Sequence, residues 1–246
     1  MKHYITLIIV VLAVVFTLFI LVEFLIIRFN GSPVAVPVID RNVKQLGTGP
    51  SLSYAIMGDS TSVSQGSDYK DGFATASIVH LSKRFAVRSI NTGISGATSE
   101  EVRKDQLKKV LNFNPDIVLL AVGANDATHF VPGNKVQESV QSIIDELRRV
   151  NPKVKIIVTS SPAMDSVSRF PIGAKQLMGL RTKQVNKVFS TLISKNNLIS
   201  APIAERTRDA FIADPSLTAV DKFPPNKRGY ALWIPVINEA MDHATK

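Results

Sequence analysis

A serine that follows a glycine and an aspartate is the first residue of this chain with a chemistry of its own. Ser60 ends the stretch Tyr54-Ala55-Ile56-Met57-Gly58-Asp59-Ser60, in which a short apolar run with strand character stops at Gly58. Glycine permits a turn that a bulkier residue would resist. Ligand chemistry in open α/β sheets lies just past the carboxyl ends of strands. Ser60 is therefore a candidate nucleophile, and the structural alternative is a serine that caps the next helix.

Two later stretches place polar groups after apolar runs in the same way. Asn91-Thr92-Gly93-Ile94-Ser95-Gly96-Ala97-Thr98 contains glycines that let backbone amides approach a ligand closely, as an oxyanion site needs. Ala121-Val122-Gly123-Ala124-Asn125-Asp126 carries a side-chain amide that can donate a hydrogen bond to developing negative charge. The alternatives are an ordinary strand-to-helix turn for the first and a turn-forming Asn-Asp pair for the second.

A fourth stretch, Asp221-Lys222-Phe223-Pro224-Pro225-Asn226-Lys227-Arg228-Gly229-Tyr230, precedes the last helical pattern of the chain. An aspartate in this position can orient a catalytic base. The alternative is a helix-entry loop in which Asp221 is a solvated charge.

Short apolar runs alternate with helical patterns over most of the chain, which predicts a parallel sheet covered by helices on both faces with right-handed crossovers. Thr98-Ser99-Glu100-Glu101 indicates a capping box at the start of one helix. After the serine stretch, the predicted strands are 87–91, 116–122, 155–159 and 198–201, and the predicted helices are 73–85, 99–113, 135–150, 177–195 and 227–243.

The amino end predicts a membrane anchor. Ile5 to Val22 is an unbroken apolar run, and about 20 such residues cross the hydrocarbon core of a bilayer. No clear signal-peptide cleavage site precedes Asn30-Gly31-Ser32-Pro33, so we expect an uncleaved, single-pass signal anchor. Lys2 favours a cytoplasmic amino end and hence an extracytoplasmic domain, which is the orientation we expect, although nearby basic residues after the helix oppose it. We divide the chain into an anchor helix (1–29), a linker (30–50) and a folded domain (51–246).

Composition narrows the function classes. The formal net charge of +9 is scattered along the 246 residues, which argues against a nucleic-acid partner and leaves attraction to anionic membranes plausible. There is no cysteine, and none of the four histidines forms a short-spaced pair, so we expect no metal site and no cofactor.

Together and in this order, the four stretches resemble the SGNH (GDSL-type) hydrolase family over nearly all of 51–246. The resemblance implies a flavodoxin-like three-layer α/β/α fold. It also implies that Ser60 is the nucleophile, that Ser60, Gly93 and Asn125 form the oxyanion hole, and that Asp221 is the catalytic acid. Acyl esters of lipids, glycans or small molecules are the implied substrates. Thr61 stands where leucine is common in the family.

The sequence departs from the family where the catalytic histidine should stand, because that position is Pro224. A serine hydroxyl is a poor nucleophile without a base. His129, after the third stretch, is one candidate substitute, although we favour a pocket-wall or hydrogen-bonding role for it. Two hypotheses therefore stay open: a membrane-anchored ester hydrolase with impaired activity, and a binding module of the same fold that does not turn over its ligand.

Overall fold

The computed structural model describes residues 2–29 and 34–246, so the Asn30-Gly31-Ser32-Pro33 stretch and the start of the predicted linker lie outside the described residues. The helices are α1 (Lys2–Phe29), α2 (Phe73–Ser82), α3 (Ser99–Glu101), α4 (Leu107–Phe113), α5 (Ala124–Thr128), α6 (Gly133–Val150), α7 (Ile172–Asn196), α8 (Ile203–Ala213) and α9 (Lys227–Ala244). A π-helical turn, Val102–Gln106, joins α3 to α4.

A six-stranded sheet forms the middle layer, with the strand order β1-β3-β2-β4-β5-β6. All neighbouring strands are parallel except β1, which runs antiparallel to β3 at one edge. The predicted fold class is thus confirmed, and the residues of β1 lie within the range that we assigned to the linker. The strands are β1 (Lys44–Leu46), β2 (Ser51–Gly58), β3 (Ala86–Asn91), β4 (Ile117–Ala121), β5 (Lys155–Thr159) and β6 (Ile199–Ala201).

Alternating side chains of the central strands supply two separate cores. Along β2, Ala55 and Met57 pack with residues of α4, α6 and α7, whereas Tyr54 and Ile56 pack with residues of α2, α8 and α9 on the other face. This alternation follows from the two-residue period of a strand. Because both faces are covered, β4 is buried at every position, as parallel sheets require.

Most of the amino-terminal helix α1 lies outside these cores, and of its described residues only Ile27, near its carboxyl end, packs against the first of them. His3–Phe29 is the one helix among the described residues that is long and apolar enough to cross a membrane. Its large apolar side chains are exposed along most of its length. Glu23 and Ile27, near its carboxyl end, are partly covered by the folded domain.

The end of β2 depends on a glycine. A Cβ atom on Gly58 would lie 2.1 Å from the carbonyl oxygen of Ala121 on the neighbouring strand β4. Because that oxygen belongs to the backbone of a buried strand, it cannot move aside without disturbing the sheet.

Gly58→Ala should therefore lower the free energy of unfolding by about 3 kcal/mol, at the upper end of the range for overpacked core substitutions. Gly96→Ala is the matched control, because Gly96 also has a positive φ of 85°, but a Cβ atom there would have open space for 4 Å around it. That control should cost only about 1–2 kcal/mol of left-handed strain. Urea unfolding of the detergent-solubilised chain measures both, and equal losses would contradict the steric explanation.

Candidate active site

Ser60 lies in a tight turn at the carboxyl end of β2. The Asp59 Oδ1 atom accepts hydrogen bonds from the Thr61 amide at 2.9 Å and from the Thr61 hydroxyl at 2.8 Å. The Asp59 carbonyl accepts two more, from the amide of Ser62 at 3.2 Å and from its hydroxyl at 2.6 Å. These bonds fix the backbone on both sides of Ser60. The serine itself is half-buried.

The turn that holds Ser60 buries a carboxyl group. Burial and, to a smaller extent, the nearby Asp126 carboxylate raise the pKa of Asp59 to about 6, against the opposing hydrogen bonds from Thr61. Burial also raises the pKa of Asp126, whose carboxylate accepts hydrogen bonds from the amide and hydroxyl of Ser99. Both acids serve to fix loops at this edge of the sheet.

The second stretch lies directly against the first. Ile94 donates its amide hydrogen to the Gly58 carbonyl at 3.0 Å, and the Asn91 Nδ2 atom donates to the Ser62 carbonyl at 2.7 Å. The Asn91 Oδ1 atom in turn accepts the amide hydrogen of Gly93 at 2.9 Å. The Gly93 amide, expected in the oxyanion hole, is thus already bonded to a neighbouring side chain.

Gly96, three residues further on, differs from Gly93 in its exposure, its backbone conformation and its hydrogen bonding. It is exposed, it has a φ of 85°, and its amide takes part in none of the hydrogen bonds formed among the described residues. Sequence reasoning did not single out Gly96, although the second stretch contains two glycines.

Asn125, in the third stretch, contacts the second stretch. Its Nδ2 atom donates to the Ala97 carbonyl at 3.1 Å, and the side chain is half-buried. An amide nitrogen carries two hydrogens, so one donor is left over for a ligand. The turn into α5 begins at Gly123, whose φ is 116°.

Gln106 positions Gly58 and was not found by sequence reasoning. Its Oε1 atom accepts the Gly58 amide at 2.9 Å, and its Nε2 atom donates to the Gly58 carbonyl at 2.8 Å. The side chain is 1% exposed and comes from the π-helical turn. A signal was present, because Gln106 falls in helical register with the buried Val102 and Val110.

The fourth stretch folds back as a loop, in which the Ala219 amide donates to the Pro224 carbonyl at 2.9 Å and Thr218 bridges Pro225. The loop also approaches the turn after Ser60: a Cβ on Gly66 would lie 2.9 Å from the Pro224 Cγ atom. Ser60 and Pro224 both belong to the wall of one cavity.

Asp221 is turned toward an arginine and a backbone amide. Its Oδ1 atom accepts the Phe223 amide at 3.1 Å, and its Oδ2 atom lies 4.0 Å from the Arg169 guanidinium. Burial raises the pKa of this carboxyl, while the Phe223 amide and Arg169 lower it.

The cavity beside Ser60 is partly open to solvent and has mainly apolar walls. Among the described residues of its wall, Arg208 alone is charged, and it is paired with Asp165 at 2.8 Å. The wall is formed by Ser60, Thr61, Ala124, Pro162, Ala163, Met164, Ser166, Val167, Thr207, Arg208, Phe211, Thr218, Phe223, Pro224, Pro225 and Trp233.

No histidine of residues 2–29 or 34–246 contributes to this wall. His129 is exposed at the carboxyl end of α5, and His243 is exposed on α9. The His80 Nε2 atom lies 2.8 Å from an oxygen of Asp242, and His3 belongs to α1. In the described part of the chain, no side chain hydrogen-bonds to the Ser60 hydroxyl.

Comparisons with known proteins identify the family and the fold of this chain. The model of the GDSL-like Lipase/Acylhydrolase family matches residues 56–232. None of the curated proteins matches the chain in sequence.

Three solved structures illustrate the likeness in fold. TesA is 15% identical with a TM-score of 0.65, covering 78% of this chain and 99% of TesA. A catalytic mutant of Axe2, an acetylxylan esterase from Geobacillus stearothermophilus, is 16% identical with a TM-score of 0.66, covering 80% and 96%. The lipase/acylhydrolase from Enterococcus faecalis is 19% identical with a TM-score of 0.61, covering 78% and 96%. At these identities the likeness shows the fold alone.

Asp59→Asn should stabilise the protein at neutral pH. Because burial raises the carboxyl pKa from 3.8 to about 6, the contribution of Asp59 to stability is largest below pH 3.8 and is lost as the pH rises through 6. Asparagine offers the same acceptor to Thr61 without a charge. We expect the free energy of unfolding of the variant to exceed that of the wild type by up to about 3 kcal/mol above pH 7.

Urea unfolding at several pH values measures this difference, which should shrink as the pH falls below about 6 and disappear below about pH 3, where the wild-type carboxyl is protonated in both states. A difference that is independent of pH, or a variant less stable at neutral pH, would contradict the assignment of Asp59 as a destabilised buried acid.

Proposed function

Because the chain belongs to the GDSL-like lipase/acylhydrolase family, we propose that it binds an acyl ester in the cavity beside Ser60 and that Ser60 attacks this ester slowly. The family and the fold support a hydrolase of the ester type. The apolar cavity wall suits the acyl part of a lipid, glycan or small-molecule ester. The helix α1 would hold the protein on a membrane, with the folded domain extracytoplasmic.

In this proposal the Ser60 hydroxyl adds to the ester carbonyl and loses its proton to solvent water. The leaving alkoxide takes a proton from water and departs as the alcohol, and a second water hydrolyses the acyl-enzyme to the free acid and regenerates Ser60. Negative charge that develops on the carbonyl oxygen needs donors at hydrogen-bond distance. The Ser60 amide and the remaining Asn125 hydrogen are two of them. The third is a backbone amide of the second stretch, either Gly93 after release from Asn91 or Gly96.

We infer the slow rate from one observation: Pro224 lies in the cavity wall, and no histidine lies beside it among the described residues. Proline has no group that can take the Ser60 proton or return it to the leaving alcohol. Loss of a triad member in serine hydrolases lowers kcat by about 10⁴ to 10⁶, and the remaining catalysis comes from binding and the oxyanion hole.

A second candidate is a membrane-anchored module that binds acyl esters without turnover. The orientation of Asp221 favours it, because this carboxylate faces Arg169 and a backbone amide rather than a base. We propose that Asp221 would orient an imidazole only if one were restored at position 224.

Restoring the base should restore activity. Pro224→His places an imidazole three residues after Asp221, in the cavity wall beside Ser60. We expect kcat/KM for a short-chain aryl ester to rise by about 10²-fold or more, the usual contribution of a general base. Adding Ser60→Ala to this variant should abolish the gain, and adding Asp221→Asn should reduce it.

Pro224→Ala is the matched control, since it removes the proline ring without adding a base, and it should stay as slow as the wild type. If Pro224→His and Pro224→Ala hydrolyse the ester equally slowly, the missing base does not limit the rate and the binding-module hypothesis gains support.

The same assay tests His129 as a substitute base. His129→Ala should leave the wild-type rate within about twofold, because an exposed side chain outside the cavity wall is not placed to act on Ser60. Strong wild-type turnover that His129→Ala abolishes would show instead that the base has moved to position 129.

A further inference from the structure

The anchor helix is held against the amino end of α7 by polar contacts. The Glu23 carboxylate accepts hydrogen bonds from the amides of Gly173 at 3.2 Å and Ala174 at 2.8 Å. The Arg169 Nε atom donates to the Ile27 carbonyl at 3.2 Å. A carboxylate at the amino end of a long helix is favoured by the free amides and by the helix dipole. These contacts fix the domain relative to the last turns of α1.

The contacts lie at the depth where the apolar run of α1 ends. The run from Ile5 to Val22 rises about 27 Å as a helix, close to the thickness of the hydrocarbon core. Glu23 follows it directly, and four more apolar residues (24–27) precede Arg28. Gly173 also lies beside the Phe19 ring, so these contacts lie along the carboxyl-terminal part of the span, close to the membrane boundary. The partners of Glu23, Gly173 and Ala174, must then lie at the same boundary.

The surface around these partners suits a bilayer. Ile172 is 77% exposed and Leu180 is 59% exposed on α7, and Phe130 is 49% exposed beneath the Arg181 guanidinium, 5.5 Å from its ring centre. Between Ser166 and Lys183 the chain carries four basic residues and no acidic one. Exposed apolar side chains among cations are typical of surfaces that lie in the interface of an anionic membrane. We call the set Arg169, Ile172, Leu180 and Phe130 the basal surface.

The basal surface continues into the wall of the Ser60 cavity. Residues 162–167, just before Arg169, supply five of the wall residues. Phe170 packs edge-on against Phe223 with ring centres 5.8 Å apart, and Phe223 is itself in the wall. Arg169 also binds the loop of Pro224, because its amide donates to the Lys222 carbonyl at 3.1 Å. One short segment therefore joins the membrane boundary to the cavity.

We propose that the basal surface rests on the bilayer crossed by α1 and that the acyl chain of a membrane lipid enters the Ser60 cavity directly from that bilayer. The ligand is then an ester-linked acyl chain of a lipid, and soluble esters are secondary ligands. This inference rests on the proposed function, since it uses the same cavity, and it adds the source of the ligand and the residues that direct it.

Trp233 gives a direct test, because it is the only tryptophan of the chain, is 3% exposed and lines the cavity. The full chain is reconstituted into vesicles of phosphatidylcholine and phosphatidylglycerol whose acyl chains carry bromine, which quenches tryptophan only near contact. We expect Trp233 fluorescence to fall relative to vesicles without bromine. Ala163→Phe, which fills the cavity from its wall, should abolish the loss.

A paired variant tests the route. Glu23→Ala with Arg169→Ala removes the side-chain contacts with α1 and the Arg169–Asp221 ion pair, but it substitutes no residue of the cavity wall. It should lose quenching by brominated lipid and keep quenching by a water-soluble brominated hexanoate ester. A thermal melt monitored by circular dichroism confirms that each variant is folded.

The outcomes separate the two proposals. Quenching by the soluble ester but not by brominated lipid in the wild type would overturn the membrane route and leave the proposed function standing. Quenching by neither would overturn acyl binding in the cavity itself. Lipid quenching that survives both the cavity-filling and the paired variant would show that bromine reaches Trp233 by another path, which also contradicts the inference.

Discussion

The parallel pairing of β2 with both of its neighbours is the constraint on which the rest of the structure depends. Its register sets Ile56 opposite Asn91 and Gly58 opposite Ala121, so three strands end at nearly the same level. The backbone of Gly58 continues this pairing and is held on its other side by the Gln106 amide. With both hydrogen-bonding groups of Gly58 occupied and no room for a side chain, the turn that presents Ser60 has little freedom. The loops of three strands then meet around the serine.

In the proposed function, this arrangement supplies hydrogen-bond donors for carbonyl chemistry, and no histidine lies beside Ser60 among the described residues. The buried acids at this edge hold loops, since Asp59 caps the serine turn and Asp126 caps the start of α3. Asp221, the acid expected to orient the base, lies near Arg169 instead. The same arginine contacts the end of the anchor helix. Asp221, which would orient an imidazole base, is thus connected through Arg169 to the end of the anchor helix.

The sequence was sufficient to predict the parts of the fold that follow from local pattern. The apolar runs ending in Gly58, Asn91 and Val122 predicted strands whose ends meet, and the structure brings the second and third stretches against the first. Long-range partners could not be predicted in the same way. The hydrogen bond from the Gly93 amide to the Asn91 side chain depends on the rotamer of Asn91. The hydrogen bond between Gln106 and Gly58 joins residues that are 48 positions apart in the sequence. The helix α7 begins at Ile172, five residues before the predicted start, because Pro171 is compatible with the position before a first turn. The helix α8 was not predicted. The strand β1 forms only by pairing with the edge strand β3, a long-range contact that a local pattern does not show.

The central claim is that Ser60 stands in an acyl-binding site without a histidine base. The rate at which a fluorophosphonate labels Ser60 in the wild-type protein, followed from acid to alkaline pH, tests it most directly. We predict slow labelling whose rate rises with pH. In the Asp59→Asn variant, which lacks the neighbouring carboxyl with a pKa of about 6, the rate should rise without the inflection near about pH 6.5 that an imidazole base produces. Rapid labelling with such an inflection would contradict this claim, because a histidine would then be activating the serine.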